Sequence, residues 1–476
     1  MAQDVARRAA RTQGLAQRVQ RLARRAESLA QRVWRDQRVQ RLARRAEPLA
    51  RRAESLALRA ERIARRWLSR PAARVAVVGL FWVAVAVFLR RIAERHGYFD
   101  LRVYYGALNF WVHGHGELYD YLKSYTEYGF TYPPFAALTM LPMAIVPWAV
   151  AIGISTALNV AAGVAVLYWL IDPLARRQGW HRWSALAIAI GFAAAIDPVS
   201  ETINFGQVNV LLVALVAGDL LVLVSRGQRL GGIGIGLATA IKLTPGIFIL
   251  YLLITRRFRA AGVATATAGV ATMFAAAVIP DSTREFFTDA LWNPDRIGSQ
   301  SFVSNQSLNG FVARLAPTHP SRALWLVLVV GALAAWVWLV RRAAAAGDER
   351  AGFALTGIAG CLISPITWVH HLVWLLPAFA LLVDYGLDRS LSGRRRGLLA
   401  LLGCGAYAVL CSRVVWDYKY TYNGWAILYS NAYLGATLVV LVGLALRPPA
   451  TGTHAAEPQW SAAPDAAEPQ WSVGVP

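Results

Sequence analysis

Charge is scarce in this chain. Only 16% of its 476 residues are Asp, Glu, Lys or Arg, whereas 56% are hydrophobic and the mean hydropathy is +0.40. A soluble protein of this length would fold as two or three domains and would carry more charge. Cysteine is scarcer still. Cys361, Cys404 and Cys411 all lie in apolar runs at no metal-like spacing, which suggests neither a disulfide framework nor a zinc site. Walker A loops and DxD nucleotide-sugar patterns are missing too, and no cofactor is expected. The N-terminal charged region is far too long for a cleavable signal peptide. What the chain has in quantity is long, nearly uncharged apolar runs. These read as an all-α, polytopic membrane protein.

The net charge of +22 is concentrated at one end. Residues 1–70 hold 20 Arg against Asp4, Glu27, Asp36, Glu47, Glu54 and Glu61, so about +14 of the total sits there. The rest is only mildly basic, and no nucleic-acid partner is expected. This segment repeats itself: QRVQRLARRAE occurs at 17–27 and 37–47, and ARRAESLA at 23–30 and 50–57. Its apolar residues alternate four and three apart, the spacing of a coiled-coil seam, with Pro48 as a break. An Arg-rich helix with one thin apolar stripe also suits an anionic inner leaflet. A low-complexity extension without catalytic part is the plain alternative. At the other end, residues 447–476 repeat AAEPQWS and read as a disordered tail. Three regions result: 1–70, a transmembrane domain over 71–446, and the tail.

Residues 72–89 form the first expected membrane helix. The positive-inside rule puts both chain ends in the cytoplasm and the polar stretch 97–135 outside. The apolar run 134–171 is too long for one helix of about 20 residues, so 134–146 is expected to be a short or re-entrant helix before a full span. Spans continue over 183–196 and 210–224, a short hairpin over 231–253 with Lys242 at its tip, and helices over 260–279, 323–340, 353–363, 372–382, 397–410 and 426–446. That makes about 12 crossings, with the basic clusters of the short loops after the first helix on one side.

The other side collects different residues. Its turns carry Asp100, Tyr104, Glu201, Asn204, Gln207, Asn209, Lys242, Asn305, Gln306, Trp368, His370 and His371. Ionisable groups at membrane depth are costly and tend to mark a site. Each has a plain reading as well. Asp100 pairs with Arg102 or Arg95, Lys242 snorkels to the surface, and Trp368 with the histidines belongs to an aromatic belt. A vicinal His pair is a poor metal motif, because successive side chains point apart. No metal site is expected.

The convergence of these groups on one face suits glycosyl transfer from a lipid-linked donor. A sugar on a polyprenyl phosphate already carries a good leaving group. The catalyst needs one carboxylate to take the acceptor's proton, and cations to hold the departing phosphate. Asp100 suits the base, and Lys242 with His370 suits the clamp. A single carboxylate fits inversion, unlike the paired carboxylates of glycosidases. Tyr98, Tyr105, Trp111, Tyr119 and Tyr132 offer flat faces for a sugar ring, and Tyr104 lies one helical turn from Asp100.

The strings FDLRVYYGAL, GHGELY, FTYPPFAAL, NFGQVNVLL, GLATAIKLTPGIFILYLL, NQSLNG and SPITWVHHLVWLLP occur in that order. Together they resemble the actinobacterial polyprenyl-phosphate-mannose-dependent α-1,2-mannosyltransferases of the multispanning glycosyltransferase C superfamily, over about residues 75–445. The resemblance implies an inverting transferase acting outside the plasma membrane on a cell-envelope glycolipid or lipoglycan acceptor. Its donor is polyprenyl-phosphate mannose, or polyprenyl-phosphate arabinose in an arabinofuranosyltransferase branch. It matches Asp100 to the catalytic base, and His370 or His371 to the donor phosphate. Lys242, Gln207 and Asn209 match further motif positions in donor or acceptor binding, and Tyr104, Tyr132, Asn305 and Trp368 complete the expected substrate-binding set. A lipid-linked sugar flippase or transporter, and a membrane scaffold recruiting partners through 1–70, are the competing functions. No hydropathy repeat between the two halves supports a transporter.

Overall fold

A computed structural model describes residues 70–92, 96–114, 116–124, 126, 128–293 and 298–446. The Arg-rich repeats, the 447–476 tail, Arg95 and His115 lie outside the described residues. Two compact units divide the chain, Met1–Val77 and Val78–Pro476. Of the first, only 70–77 is described, comprising Arg70 and the start of the helix Pro71–Ile92. The second holds all the other described residues.

The described residues of this second unit form helices and no named strand, with one isolated bridge between Leu122 and Gly129. Among the described residues of the chain, five helices are long and apolar enough to cross a membrane: Pro71–Arg90, Trp148–Gln178, Phe258–Val278, Arg322–Ala345 and Val369–Leu387. Arg182–Ala195 and Asp197–Phe205 make a sixth span if the pair, bent by 76°, counts as one. Four shorter apolar helices accompany them, Pro134–Ile145, Asn209–Val224, Thr244–Ile254 and Ala432–Ala445. The chain is a multi-pass membrane protein. Its outward apolar side chains, such as Val270, Met273 and Phe274, remain exposed as lipid contact requires.

Proline sets the breaks. Pro133 is extended and Pro134 opens the short helix Pro134–Met140, which tightens into a 3-10 turn over Leu141–Ile145. Pro147 then precedes the 31-residue helix Trp148–Gln178. The short helix expected ahead of a full span is therefore present. The stretch 197–209, expected to be an outer loop, is mostly helix: Asp197 and Pro198 start it and Phe205 ends it. Its polar side chains, Asp197, Ser200, Glu201 and Thr202, are buried against protein, so hydropathy alone reads it as a loop. Gly206 stops this helix in the left-handed region, at φ 70°. A Cβ there would lie 2.6 Å from Leu101 Cβ, so only glycine lets the two segments approach this closely.

Ion pairs join helix ends elsewhere in the unit. Arg177 meets Asp384, Arg257 meets Glu349, and Asp172 takes Arg182 as well as Arg176, the last at 2.8 Å. The 15-residue helix Glu349–Ile363 separates that charged end from the segment beginning at Ser364. The arginine-rich turns are thus not bare, since acids from neighbouring helices neutralise part of them.

Candidate active site

Asp100 lies in the first turn of the helix Phe99–His113, half-buried. The turn before it is tied down where the Tyr98 amide donates to the Asn204 carbonyl oxygen at 3.0 Å. Among the described residues Asp100 makes no ion pair. Arg102 instead donates from Nε to the Gly97 carbonyl oxygen at 2.8 Å and lies over the Trp148 ring. The partner of Asp100 is Gln207, whose Nε2 donates to Oδ2 at 2.6 Å. The other carboxylate oxygen, Oδ1, has no partner among the described residues.

A hydrogen-bonded chain runs on from there. Gln207 Oε1 accepts from the Tyr132 hydroxyl at 2.9 Å and from Asn209 Nδ2 at 3.3 Å. The Tyr132 hydroxyl accepts from Tyr104 at 3.0 Å and from Lys242 Nζ at 3.4 Å, and Lys242 lies over the Tyr132 ring. Lys242 Nζ also reaches Asn209 Oδ1 and His371 Nε2, each at 2.9 Å. Gln207, Asn209, Tyr104 and Tyr132 are all buried. Their polar atoms satisfy one another, which is what permits their burial.

Burial also sets the charge balance. It pushes the Asp100 carboxyl up to about 6, against the Gln207 hydrogen bond and the positive charge of Lys242. It pulls the Lys242 ammonium down to about 7, against the attraction of Asp100. Desolvation likewise raises the Tyr104 and Tyr132 phenols, so both stay protonated. One end of the chain thus holds a carboxylate that titrates near neutrality, and the other an amine that does the same. Base catalysis favours such values.

His370 and His371 both lie in the turn Val369–Leu375. Their rings stand 4.7 Å apart at 82°. His371 faces Lys242. His370 packs on Phe205, and its Nε2 is buried without a hydrogen-bond partner. Its carbonyl oxygen accepts from Thr202 Oγ1 at 3.0 Å, which docks this turn on the helix Asp197–Phe205. Beside His371 lies a small cavity of about 20 Å³, lined by Asn209, Lys242, Cys361, Thr367, His371 and Trp374 among others.

Two expected residues sit differently. Asn305 is fully buried and all its bonding capacity is used: Nδ2 donates to the Gln300 and Pro365 carbonyl oxygens, and Oδ1 accepts from the Ser307 and Thr367 amides. It staples NQSLNG to SPITW and has no polar atom to offer a substrate. A Cβ at Gly310 would lie 2.1 Å from the Asn305 carbonyl oxygen, so the motif's final glycine makes room for this staple. Trp368 is half-buried beside Phe302, and its amide donates to His371 Nδ1 at 3.1 Å. His113 bonds the Ala144 carbonyl oxygen, away from Asp100's partners.

A second polar cluster escapes a reading by motif. Arg413, in a left-handed conformation, pairs with both Asp197 and Glu201, each fully buried. Trp416 Nε1 and the Tyr433 hydroxyl donate to Asp197 Oδ2 at 2.7 and 2.9 Å. His96 meets Glu201 at 2.9 Å and stacks on Phe205. The available signal was an acid pair four apart in an otherwise uncharged segment, Asp197 and Glu201, with one isolated cation at 413. Among the described residues no three His, Cys, Asp or Glu side chains converge as metal ligands would.

Comparison with known proteins finds relatives of the chain as a whole. Residues 130–365 match glycosyltransferase family 87. The chain is 32% identical over 319 residues to a polyprenol-phosphate-mannose-dependent alpha-(1-2)-phosphatidylinositol mannoside mannosyltransferase of Mycobacterium tuberculosis, covering 63% of this chain and 74% of that one. A polyprenol-phosphate-mannose-dependent alpha-(1-2)-phosphatidylinositol pentamannoside mannosyltransferase of Mycolicibacterium smegmatis is 33% identical over 361 residues, covering 72% of this chain and 83% of its own. Among solved structures, ArnT from Cupriavidus metallidurans bound to undecaprenyl phosphate aligns with 78% of this chain and 76% of its own. At 17% identity and a TM-score of 0.36, that likeness is too loose to bear on the site.

Proposed function

The chain belongs to glycosyltransferase family 87, and from that premise we propose that it moves mannose from polyprenyl-phosphate mannose to an envelope glycolipid or lipoglycan, forming an α-1,2 linkage. The relatives' names support the mannosyl donor over an arabinosyl one. The observation that carries the chemistry is the continuous hydrogen-bonded chain from Asp100 through Gln207 and Tyr132 to Lys242 and His371. It has one open end of each kind that the reaction needs.

Asp100 Oδ1 takes the proton of the acceptor hydroxyl as that oxygen bonds to the anomeric carbon. The bond from that carbon to the phosphate oxygen breaks, and polyprenyl phosphate leaves with the electron pair toward Lys242 and His371. Attack opposite the leaving group inverts the anomeric centre. Gln207 positions Asp100, with Nε2 donating to its carboxylate and Oε1 accepting from Tyr132 and Asn209. Tyr104 and Tyr132 likewise act through their neighbours. The site faces outward from the plasma membrane, with both termini inside and about 12 crossings when the shorter helices are counted. The Arg-rich segment 1–70 lies on the anionic inner leaflet.

The test is to incubate membranes with labelled polyprenyl-phosphate mannose and, separately, polyprenyl-phosphate arabinose, and to identify the lipid that gains label. Mannose should appear on an envelope glycolipid, and Asp100→Asn should insert normally yet transfer none. Wild-type-like turnover by that variant removes the base, and labelling only from the arabinose donor replaces the sugar. Movement of lipid-linked sugar across proteoliposomes without a new glycosidic bond would sink the transferase reading.

A further inference from the structure

The hydrogens around Lys242 can be counted. Asn209 Oδ1, 2.9 Å from Nζ, is an acceptor, because its Nδ2 is turned toward Gln207 Oε1 and the His370 carbonyl oxygen. The Tyr132 hydroxyl gives its own hydrogen to Gln207 Oε1 and therefore also accepts from Nζ. His371 is the exception. Its Nδ1 accepts the Trp368 amide, so that nitrogen carries no hydrogen and the ring is neutral. The ring's one hydrogen is then on Nε2, pointing at Nζ from 2.9 Å.

An ammonium has three hydrogens and no lone pair, and would set two donors head to head across that contact. A neutral amine has two hydrogens and one lone pair. It matches the three partners without remainder, donating to Asn209 and Tyr132 and accepting from His371. From this geometry we propose that Lys242 rests as a neutral amine capped by His371, and takes one proton from solvent when the anionic polyprenyl phosphodiester enters.

The proton occupies the lone pair that had held the His371 Nε2 hydrogen. That N–H is released, and it and the new ammonium N–H both become donors to the phosphate oxygens. One anion and one proton enter together, so the buried site changes no net charge, which low dielectric favours. The groups facing Lys242 from its neighbouring elements are Asp100, Tyr132, the Cys361 thiol, His370 and His371. Asp100 and, after it, Cys361 favour the ammonium, and burial outweighs both, which agrees with the hydrogen count.

This inference rests on the donor proposed above, and its test separates the two. The full chain carrying Asp100→Asn, in lipid nanodiscs, is titrated calorimetrically with polyprenyl-phosphate mannose in buffers of different ionisation enthalpy. That variant has no carboxylate at position 100 to titrate and does not consume the donor, and the phosphodiester itself does not titrate near neutral pH. About one proton should be taken up per donor bound at about pH 8 and less as the pH falls, with Kd rising about tenfold per pH unit from an onset below the wild-type value of about 7, because the variant lacks the attraction of Asp100. Adding Lys242→Arg should abolish the uptake, because a guanidinium keeps its charge throughout. Binding at the higher pH without proton uptake, or equal uptake with arginine present, overturns the proposal and leaves the donor reading standing. An absence of binding heat at every pH removes the donor reading and the proposal with it.

Discussion

Gln207→Met keeps the length of the side chain and removes both of its bonding atoms. The 2.6 Å bond from Nε2 is the strongest influence holding the Asp100 carboxyl down, and even with it burial leaves that carboxyl at about 6. A hydrogen bond to an ionised group contributes about 1.5–3 kcal/mol, and one pKa unit corresponds to about 1.4 kcal/mol. Losing it should therefore raise the Asp100 carboxyl by about 1–2 units, to between about 7 and 8. The base works only when ionised, so turnover is present above this value and lost below it. The assay is kcat at saturating donor from about pH 5 to about pH 9, since kcat reports the groups of the bound complex. Wild type should fall to half its plateau where the Asp100 carboxyl of the bound complex titrates. The variant should do so about 1–2 units higher, lie about 10- to 100-fold below wild type under acid conditions, and recover much of the difference at the alkaline end. Tyr132 and Asn209 also lose their acceptor, so a thermal melt is run beside the rates. The same fractional loss at every pH, with the midpoint unmoved, refutes the positioning of Asp100 by Gln207.

Arg413→Met leaves Asp197 and Glu201 buried without their cation, and such a loss costs about 3–5 kcal/mol. Its thermal midpoint should fall well below wild type, and an unchanged midpoint would show that the network does not hold the fold. Deletion of Met1 through Arg66 should leave transfer by the remaining chain intact in the labelled-donor assay. Loss of transfer by a deletion protein that still reaches the membrane would give the Arg-rich repeats a part in catalysis.

The parts of this fold that are legible in the sequence are those governed by transfer between water and lipid. Residues 72–89 suffice to find the helix Pro71–Ile92, and Pro133, Pro134 and Pro147 announce the short helix ahead of the long one. The helix Asp197–Phe205 escapes because its polar residues are buried by protein rather than by lipid or water, and an apolar scale does not register that environment. Its own start signals, an acid in the first turn followed by proline, point the other way and are local enough to use. The site divides along the same line. Asp100, Lys242 and the histidine pair stand out as ionisable groups in apolar surroundings, a property of each residue and its neighbours in sequence. Which of them touch is decided by partners 107, 75 and 129 positions apart. Gln207 shows the consequence. As an amide in a polar turn it looks like a substrate ligand, yet its carbonyl oxygen and Nε2 are taken by three side chains from two other motifs and its own. Burial of so many hydroxyls and amides is tolerated only when they satisfy one another, and a closed chain of this kind has few free atoms. The free ones are therefore informative. Asp100 Oδ1 lies at one end of the chain, and at the other a Lys242–His371 contact gains two donors when one proton arrives. Those are the two places where proton and phosphate charge must be handled if the chain transfers a sugar from a phosphate.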